Sequence, residues 1–487
     1  MNNCHLCYSS RSKSIVMIRL NLLMVKRASM YTKPNRLIAF CLIISLFLIT
    51  GLVESTPSGP KMSAAEAFIT TSKPFLQPLS NSNSSIKAII TTNDTLDDDY
   101  IFQKNPDGMG AFINENGTID VFVNHELDHE DDGEYAKVSK LTLNTNGSVL
   151  AGKLIENGTG KYNVFCSAYL IEGYGFTRPI FISNEEIDDG IVIAYDVLSG
   201  NKTEMPWLGT FSHENTILLP SYGNKTVLLG TEDGEYDHSQ LYMYVANSPN
   251  DLMHGRGTLY VFVGDGNITN FRDLKKGPIY NGHFEPLTWN WKTQSSSDLE
   301  NETQLKNGLD FIRLEDLHYD QNNNLIIYVA DTGDKEAGEK YQNGRIYSFE
   351  LSTSLVNNSK STTSSPYYGS SFTVMLDGDA GDRIRNPDNI ATSRNSLMIQ
   401  EDLNGYNRIL DGENAKILRF DLGTHQLEPV AILDQSYDLS KPKAGEWESS
   451  GIIDVSSIFG EGYWLADVQA HTINEGGQIL LLRVDNS

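Results

Sequence analysis

The sequence predicts an all-β fold, a six-bladed β-propeller with one insertion between blades. Three observations carry this. Gly, Asn and Asp punctuate short β-rich runs from about residue 105 onward, with no long amphipathic helical pattern. One unit recurs six times: a β-rich run ending in acidic or His residues, a loop, and a second strand. A further short motif precedes each copy, and it bears a carboxylate in five of the six.

The runs are residues 120–126 (DVFVNHE), 179–186 (PIFISNEE), 226–233 (TVLLGTED), 325–334 (LIIYVADTGD), 396–402 (SLMIQED) and 463–471 (YWLADVQAH). Their partner strands are 138–144, 191–197, 241–245, 345–351, 416–422 and 478–484. The preceding motifs carry Asp107, Glu214, Glu315 with Asp316, Asp388, and Glu446 with Glu448. In the second copy the slot is held by Cys166. In a propeller the innermost strands run side by side along a central channel, so acids at one register converge at its mouth. Residues 250–310, with Trp289, Trp291 and the stretch QSSSDLENET, read as an insertion between blades three and four that lies over this mouth as a lid. The competing reading is a β-sandwich with unrelated edge-strand acids.

The N-terminal fifth divides differently. Residues 37–53 form an apolar run preceded by Lys33 and Arg36, which is the pattern of a secretory signal; Met30 is an alternative start. The run also meets the lower length limit of a membrane span, so residues 1–55 are expected to be a cleaved signal or a membrane anchor. Neither a lipobox nor a twin arginine accompanies it. Residues 56–95 have the Ser/Thr/Pro/Asn composition of a disordered linker, leaving 96–487 for the propeller. Ten Asn-X-Ser/Thr sequons support an extracellular or cell-surface glycoprotein. The net charge of −25 argues against nucleic acid as a partner and favours cations. A monomer is expected.

Cys4, Cys7 and Cys41 lie in or before the export segment, so Cys166 is the lone thiol of the exported domain. It is either an inert core residue or a ligand or nucleophile. A ring of carboxylates needs cations or protons, and hard oxygen donors select Ca²⁺. A thiolate favours iron or zinc, which suggests a mixed cluster able to clamp a phosphate and activate water. Arg313 suits a bidentate grip on phosphate, or else forms a structural pair with Glu315. His125, His213 and His471 adjoin these acids and read more readily as supporting donors than as ligands. No HExxH, Gly-X-Ser-X-Gly or P-loop pattern is present.

At these residues the chain resembles the PhoX-type alkaline phosphatases. The matching pieces run in order: PDGMGAF with VNHE, Cys166 followed by Asn184-Glu185-Glu186, GTFSHE with GTED, IRLED with ADTGD, NPDNIA with IQED, and SSGIIDV with DVQAHT. The resemblance implies a six-bladed propeller with an iron–calcium cluster at its channel, hydrolysing small organic phosphate esters outside the cytoplasm. It implies that Cys166 binds Fe³⁺ with Glu185 or Glu186 alongside, and that Glu232, Glu315 and Asp388 hold calcium or bridge metals. Glu126 and Glu214 belong to the same metal set. It implies that Asn124 lies near the phosphate or a metal, that Arg313 holds phosphate oxygens, and that water or an oxide on the cluster is the nucleophile. The other readings of the residues are a non-catalytic calcium-binding surface propeller and a propeller esterase or lactonase; neither requires both Cys166 and Arg313.

Overall fold

The computed structural model describes residues 67–80, 82–220, 222–234, 236–356, 367–403, 414–437, 447–473 and 476–485. The export segment, residues 56–66 of the expected linker, and Glu446 lie outside the described residues. No described helix is long and apolar enough to cross a membrane.

The β-branched and aromatic runs pair into antiparallel meanders, each with an innermost strand at the channel. Blade one is Pro106–Ile113, Ile119–His125, Lys137–Leu143 and Val149–Asn157. Blade two is Phe165–Ile171, Ile180–Glu185, Val192–Asp196 and Lys202–Glu204. The innermost strands of the later blades are His213–Leu218, Leu314–Asp320, Pro387–Thr392 and Ile452–Asp454. Each innermost strand touches the next, and the sixth touches the first, so the ring closes. Hydrogen bonding counts five sheets, because blades three and four share one nine-stranded sheet through the strand Tyr280–Pro286.

The core follows the blades. Separate apolar clusters fill the six interfaces between neighbours; Phe112 and Phe122 against Phe165 and Phe181, for example, fasten blade one to blade two. Phe122 and Phe181 meet at 5.4 Å between ring centroids. Such interfaces leave the channel to polar side chains.

Two expectations change. The linker does not run to residue 95: Leu76–Pro78 pairs with Leu427–Leu433, and Ser84–Thr91 pairs with Gly476–Val484 as the outer strand of the sixth blade. Ile86 is half-buried and Ala88, Ile89, Ile90 and Thr91 are buried in succession, an apolar run that the Ser/Asn content around it hid. The insertion also begins later than residue 250, because Gly257–Gly264 is the outer strand of blade three. The remainder carries the helix Ser296–Leu305, started by a capping box between Ser295 and Asp298.

Candidate metal centre and cleft

A single backbone irregularity builds the site. In five blades the innermost strand carries a one-residue register shift at the same place: after Pro106, Phe165, His213, Leu314 and Pro387. Such bulges re-aim the next side chain. Those next residues are Asp107, Cys166, Glu214, Glu315 and Asp388. The second strand of a blade contributes the residue just past its paired end: Glu126, Glu186, Asp233 and Asp402. Matching backbone bonds, such as Glu126 N–H to Asn105 O and Glu186 N–H to Val164 O, fix this second ring. Val164 holds φ of 47° immediately before the cysteine strand, a costly conformation for a β-branched residue.

The two rings meet in three groups whose ligand atoms lie within 4.8 Å of one another: Asp107, Glu126 and Cys166; Cys166, Glu186 and Glu214; Glu214, Glu315 and Asp388. The Cys166 thiol donates to Glu186 Oε2 at 3.1 Å and lies 3.6 Å from Asp107 Oδ2. Gln469 Nε2 donates to Glu126 Oε2 at 2.7 Å, and Ser167 Oγ to Glu214 Oε1 at 2.6 Å. Asp107 Oδ1 is buried with no hydrogen-bond partner among the described residues.

Burial, reinforced by neighbouring charges, raises seven of these carboxyls. Asp107 moves to about 6, by burial and then the Glu448 charge. Glu214 moves to about 8, by burial and then Asp107. Glu126, Glu186, Glu315, Asp388 and Asp402 rise well above their ordinary values, by burial first. The Cys166 thiol is pushed up by burial and the Glu186 charge. Acids crowded this way hold protons or cations. The donor set fits metals: oxygens alone in one group, and oxygens with one sulfur in the other two.

Arg313 stands at the rim. Its Nε donates to Asp233 Oδ1 at 2.9 Å and its Nη2 to the other oxygen of the same carboxylate, with Glu315 at 3.7 Å. The partner expected for it was Glu315; the main one is Asp233, whose charge holds the guanidinium firmly protonated. Nη1 makes no hydrogen bond among the described residues, and Arg313 borders a cleft of about 1050 Å³ with Glu186, Asp233 and the helix Ser296–Leu305.

Three expected site residues are placed elsewhere. Glu185 faces away from the rings and accepts from the backbone N–H of Asn163 (2.9 Å) and Ile191 (3.3 Å). Glu232 belongs to none of the three groups and borders the cleft instead. Asn124 is fully buried below the mouth, donating to Cys166 O at 2.7 Å and accepting from Ser183 Oγ at 2.6 Å. Strand alternation is the reason for Glu185 and Glu232: the paired end residue and its successor point to opposite faces. The same rule finds Asp233 and Asp402, second members of acid pairs and outside the site expected from the sequence; Asp107, one of the expected ring acids, is aimed by its bulge. His125 is a buried structural residue between Lys104 O (2.7 Å) and Ser139 Oγ (2.6 Å), its pKa lowered to about 3 by burial. His213 is likewise lowered to about 3 by burial. His471 pairs with Glu448 at 3.4 Å.

Comparison with known proteins agrees with this geometry. Residues 182–436 match the family described as alkaline phosphatase PhoX. No curated protein sequence matches the chain. Among solved structures, Pseudomonas fluorescens PhoX in complex with vanadate, a transition state analogue, aligns over 86% of this chain and 98% of its own, with TM-score 0.56 and 12% identity. Penicillium chrysogenum alpha-L-arabinanase complexed with arabinobiose aligns over 82% and 98%, with TM-score 0.42 and 11% identity.

Proposed function

The chain belongs to the PhoX alkaline phosphatase family, and on that premise we propose that it is a metal-dependent phosphomonoesterase working outside the cytoplasm on small organic phosphate esters. The observation that carries this reading is the pair of carboxylate rings with one thiol, opening into a cleft beside Arg313. In it Glu214, Glu315 and Asp388 hold Ca²⁺ through oxygen alone, while Cys166 and Glu186 hold Fe³⁺ with Glu214. When bound, such ions polarise a phosphoryl oxygen and make a coordinated water a nucleophile near neutral pH.

The chain's own residues perform the positioning. Asp233 grips two edges of the Arg313 fork, leaving Nη1 for a phosphoryl oxygen. That donor is fixed before substrate arrives, so it need not reorganise as charge develops. Gln469 and Ser167 orient Glu126 and Glu214 toward the ring. The segment 37–53 serves export, or membrane attachment if it is retained.

Metal analysis of the purified protein together with p-nitrophenyl phosphate turnover tests this. Calcium with iron and turnover is expected. Calcium alone with no turnover would leave a calcium-binding surface propeller.

A further inference from the structure

The cleft above the rings has an unusual wall for a site that takes a phosphate dianion. Beyond Arg313 it is bordered by Asp188, Asp189, Glu232, Glu300, Asp334 and Glu336. The permanent cation among its described lining residues is Arg313, already held by Asp233 and Glu315; Glu300 lies 3.2 Å from the His238 ring and accepts from Gln304 Nε2 at 2.9 Å. Glu232 adds an independent observation. It is 8% exposed; its Oε2 has no hydrogen-bond partner among the described residues, while the Tyr242 hydroxyl and the Gln240 backbone bond the same carboxyl. It stands outside the three metal groups. Glu300, on the insertion helix, is near enough that its charge adds to burial in raising the Glu232 carboxyl. Half-buried Tyr236 completes the wall.

A buried carboxyl with one oxygen unbonded, beside a second carboxylate, is completed by a proton or by a positive group in the cleft. Ring faces beside carboxylates suit an ammonium in particular. A leaving group carrying further phosphates meets like charge instead. At about 4 Å in water each such pair changes affinity on the order of fivefold.

We propose that the cleft selects phosphate monoesters whose leaving group carries an ammonium, with Glu232 and Glu300 as its partners and Tyr236 as a wall. This rests on the phosphatase reading above and names the substrate class of that site.

The test compares phosphocholine with 3,3-dimethylbutyl phosphate, which has the same shape without the charge. At low ionic strength the metal-loaded protein is expected to favour phosphocholine in kcat/KM by roughly tenfold or more, and Glu300→Gln to lower that ratio about fivefold. Glu336→Gln, at an exposed position, is expected to lower it less. A second arm measures choline binding to the same protein by calorimetry, with weaker binding in Glu300→Gln. Turnover of both esters without preference overturns the ammonium site and leaves the phosphatase reading intact. Choline binding weakened by Glu300→Gln, with neither ester hydrolysed, sustains the site and overturns the phosphatase reading. Choline binding that Glu300→Gln leaves unchanged, or that calcium abolishes by competition at Glu232, overturns the proposal.

Discussion

The mouth of the channel and the layer directly beneath it are one residue apart on the same strands, and their chemistry is opposite. At the mouth stand Asp107, Cys166, Glu214, Glu315 and Asp388. Beneath them stand Gly108, Ser167, Asn215, Asp316 and Asn389. The lower layer is closed by its own hydrogen bonds: Asn389 Nδ2 to Ser167 Oγ at 2.7 Å, Ile390 N–H to Asp316 Oδ2 at 2.9 Å, and Asn215 to the other Asp316 oxygen. Even its one acid, raised to about 7 by burial, is satisfied by neutral donors. The mouth has the higher charge and fewer donors. The difference teaches that the floor is built to be complete without a guest, whereas the mouth is completed by cations.

Metal removal should break this contrast most strongly. Stripped of metal, the mouth carboxyls have folded pKa values above their unfolded ones, Asp107 at about 6 and Glu214 at about 8. An acid raised in the folded state binds more protons there, so stability falls as pH rises from the ordinary carboxyl value of about 4 to the raised one. Chelated protein is therefore expected to melt higher near pH 5 than at pH 8 and to lose phosphatase activity. Calcium should reverse the slope. Melting curves across pH with and without chelator check this; an unchanged slope after chelation would mean the mouth holds no ions.

Arg313→Ala attacks the mouth without touching the floor. Loss of one fixed donor to a phosphoryl oxygen is expected to lower kcat/KM on p-nitrophenyl phosphate by about 10²–10³. Arg313→Lys should recover little, because an ammonium cannot reproduce the two-edged grip on Asp233. Metal content, measured alongside, should stay within the native range.

The floor should answer differently. Asn124→Ala leaves Cys166 O and Ser183 Oγ without their partner in a fully buried place. The expected cost is about 1–3 kcal/mol in denaturant unfolding, with KM unchanged. Gly108→Ala is a sharper probe, because an added Cβ would lie 2.2 Å from Ala168 N on the neighbouring inner strand. Unfolding at lower denaturant would confirm that the floor is a packing layer.

Much of this contrast was readable in the sequence. The six strand–acid copies predicted the propeller, and each partner strand lies where its β-rich run placed it. Period-two alternation and acid placement are local, so sequence carries them directly. The bulge is not local. It lies where the innermost strand pairs with the second strand of its own blade, and it re-aims the residue that follows, Asp107, Cys166, Glu214, Glu315 or Asp388, toward the channel. Which member of the Glu232–Asp233 pair faces the channel depends on where strand pairing ends, and the place of Asn124 depends on Cys166 O and Ser183 Oγ of the neighbouring blade. The strand Ser84–Thr91 was missed for the same kind of reason: its partner, Gly476–Val484, is almost 400 residues away in the chain.

The smallest expected effect comes from Glu185, and it sharpens the comparison at single-residue resolution. Glu185→Gln keeps one acceptor, enough for the shorter bond from the Asn163 N–H at 2.9 Å but not also for Ile191 N–H at 3.3 Å, so the loop leading into the Cys166 strand keeps its main anchor. Glu185 is raised to about 7 by burial, so replacing its charge with an amide costs little near neutral pH. Metal content and kcat/KM are expected to stay within about twofold of native, in the range of changes remote from a site. Glu186→Gln removes a carboxylate 3.1 Å from the Cys166 sulfur and should release iron while leaving most calcium bound. Metal analysis of the two variants side by side checks the assignment. Iron lost from Glu185→Gln and kept in Glu186→Gln would mean that the end of the strand turns the other member of the pair toward the channel.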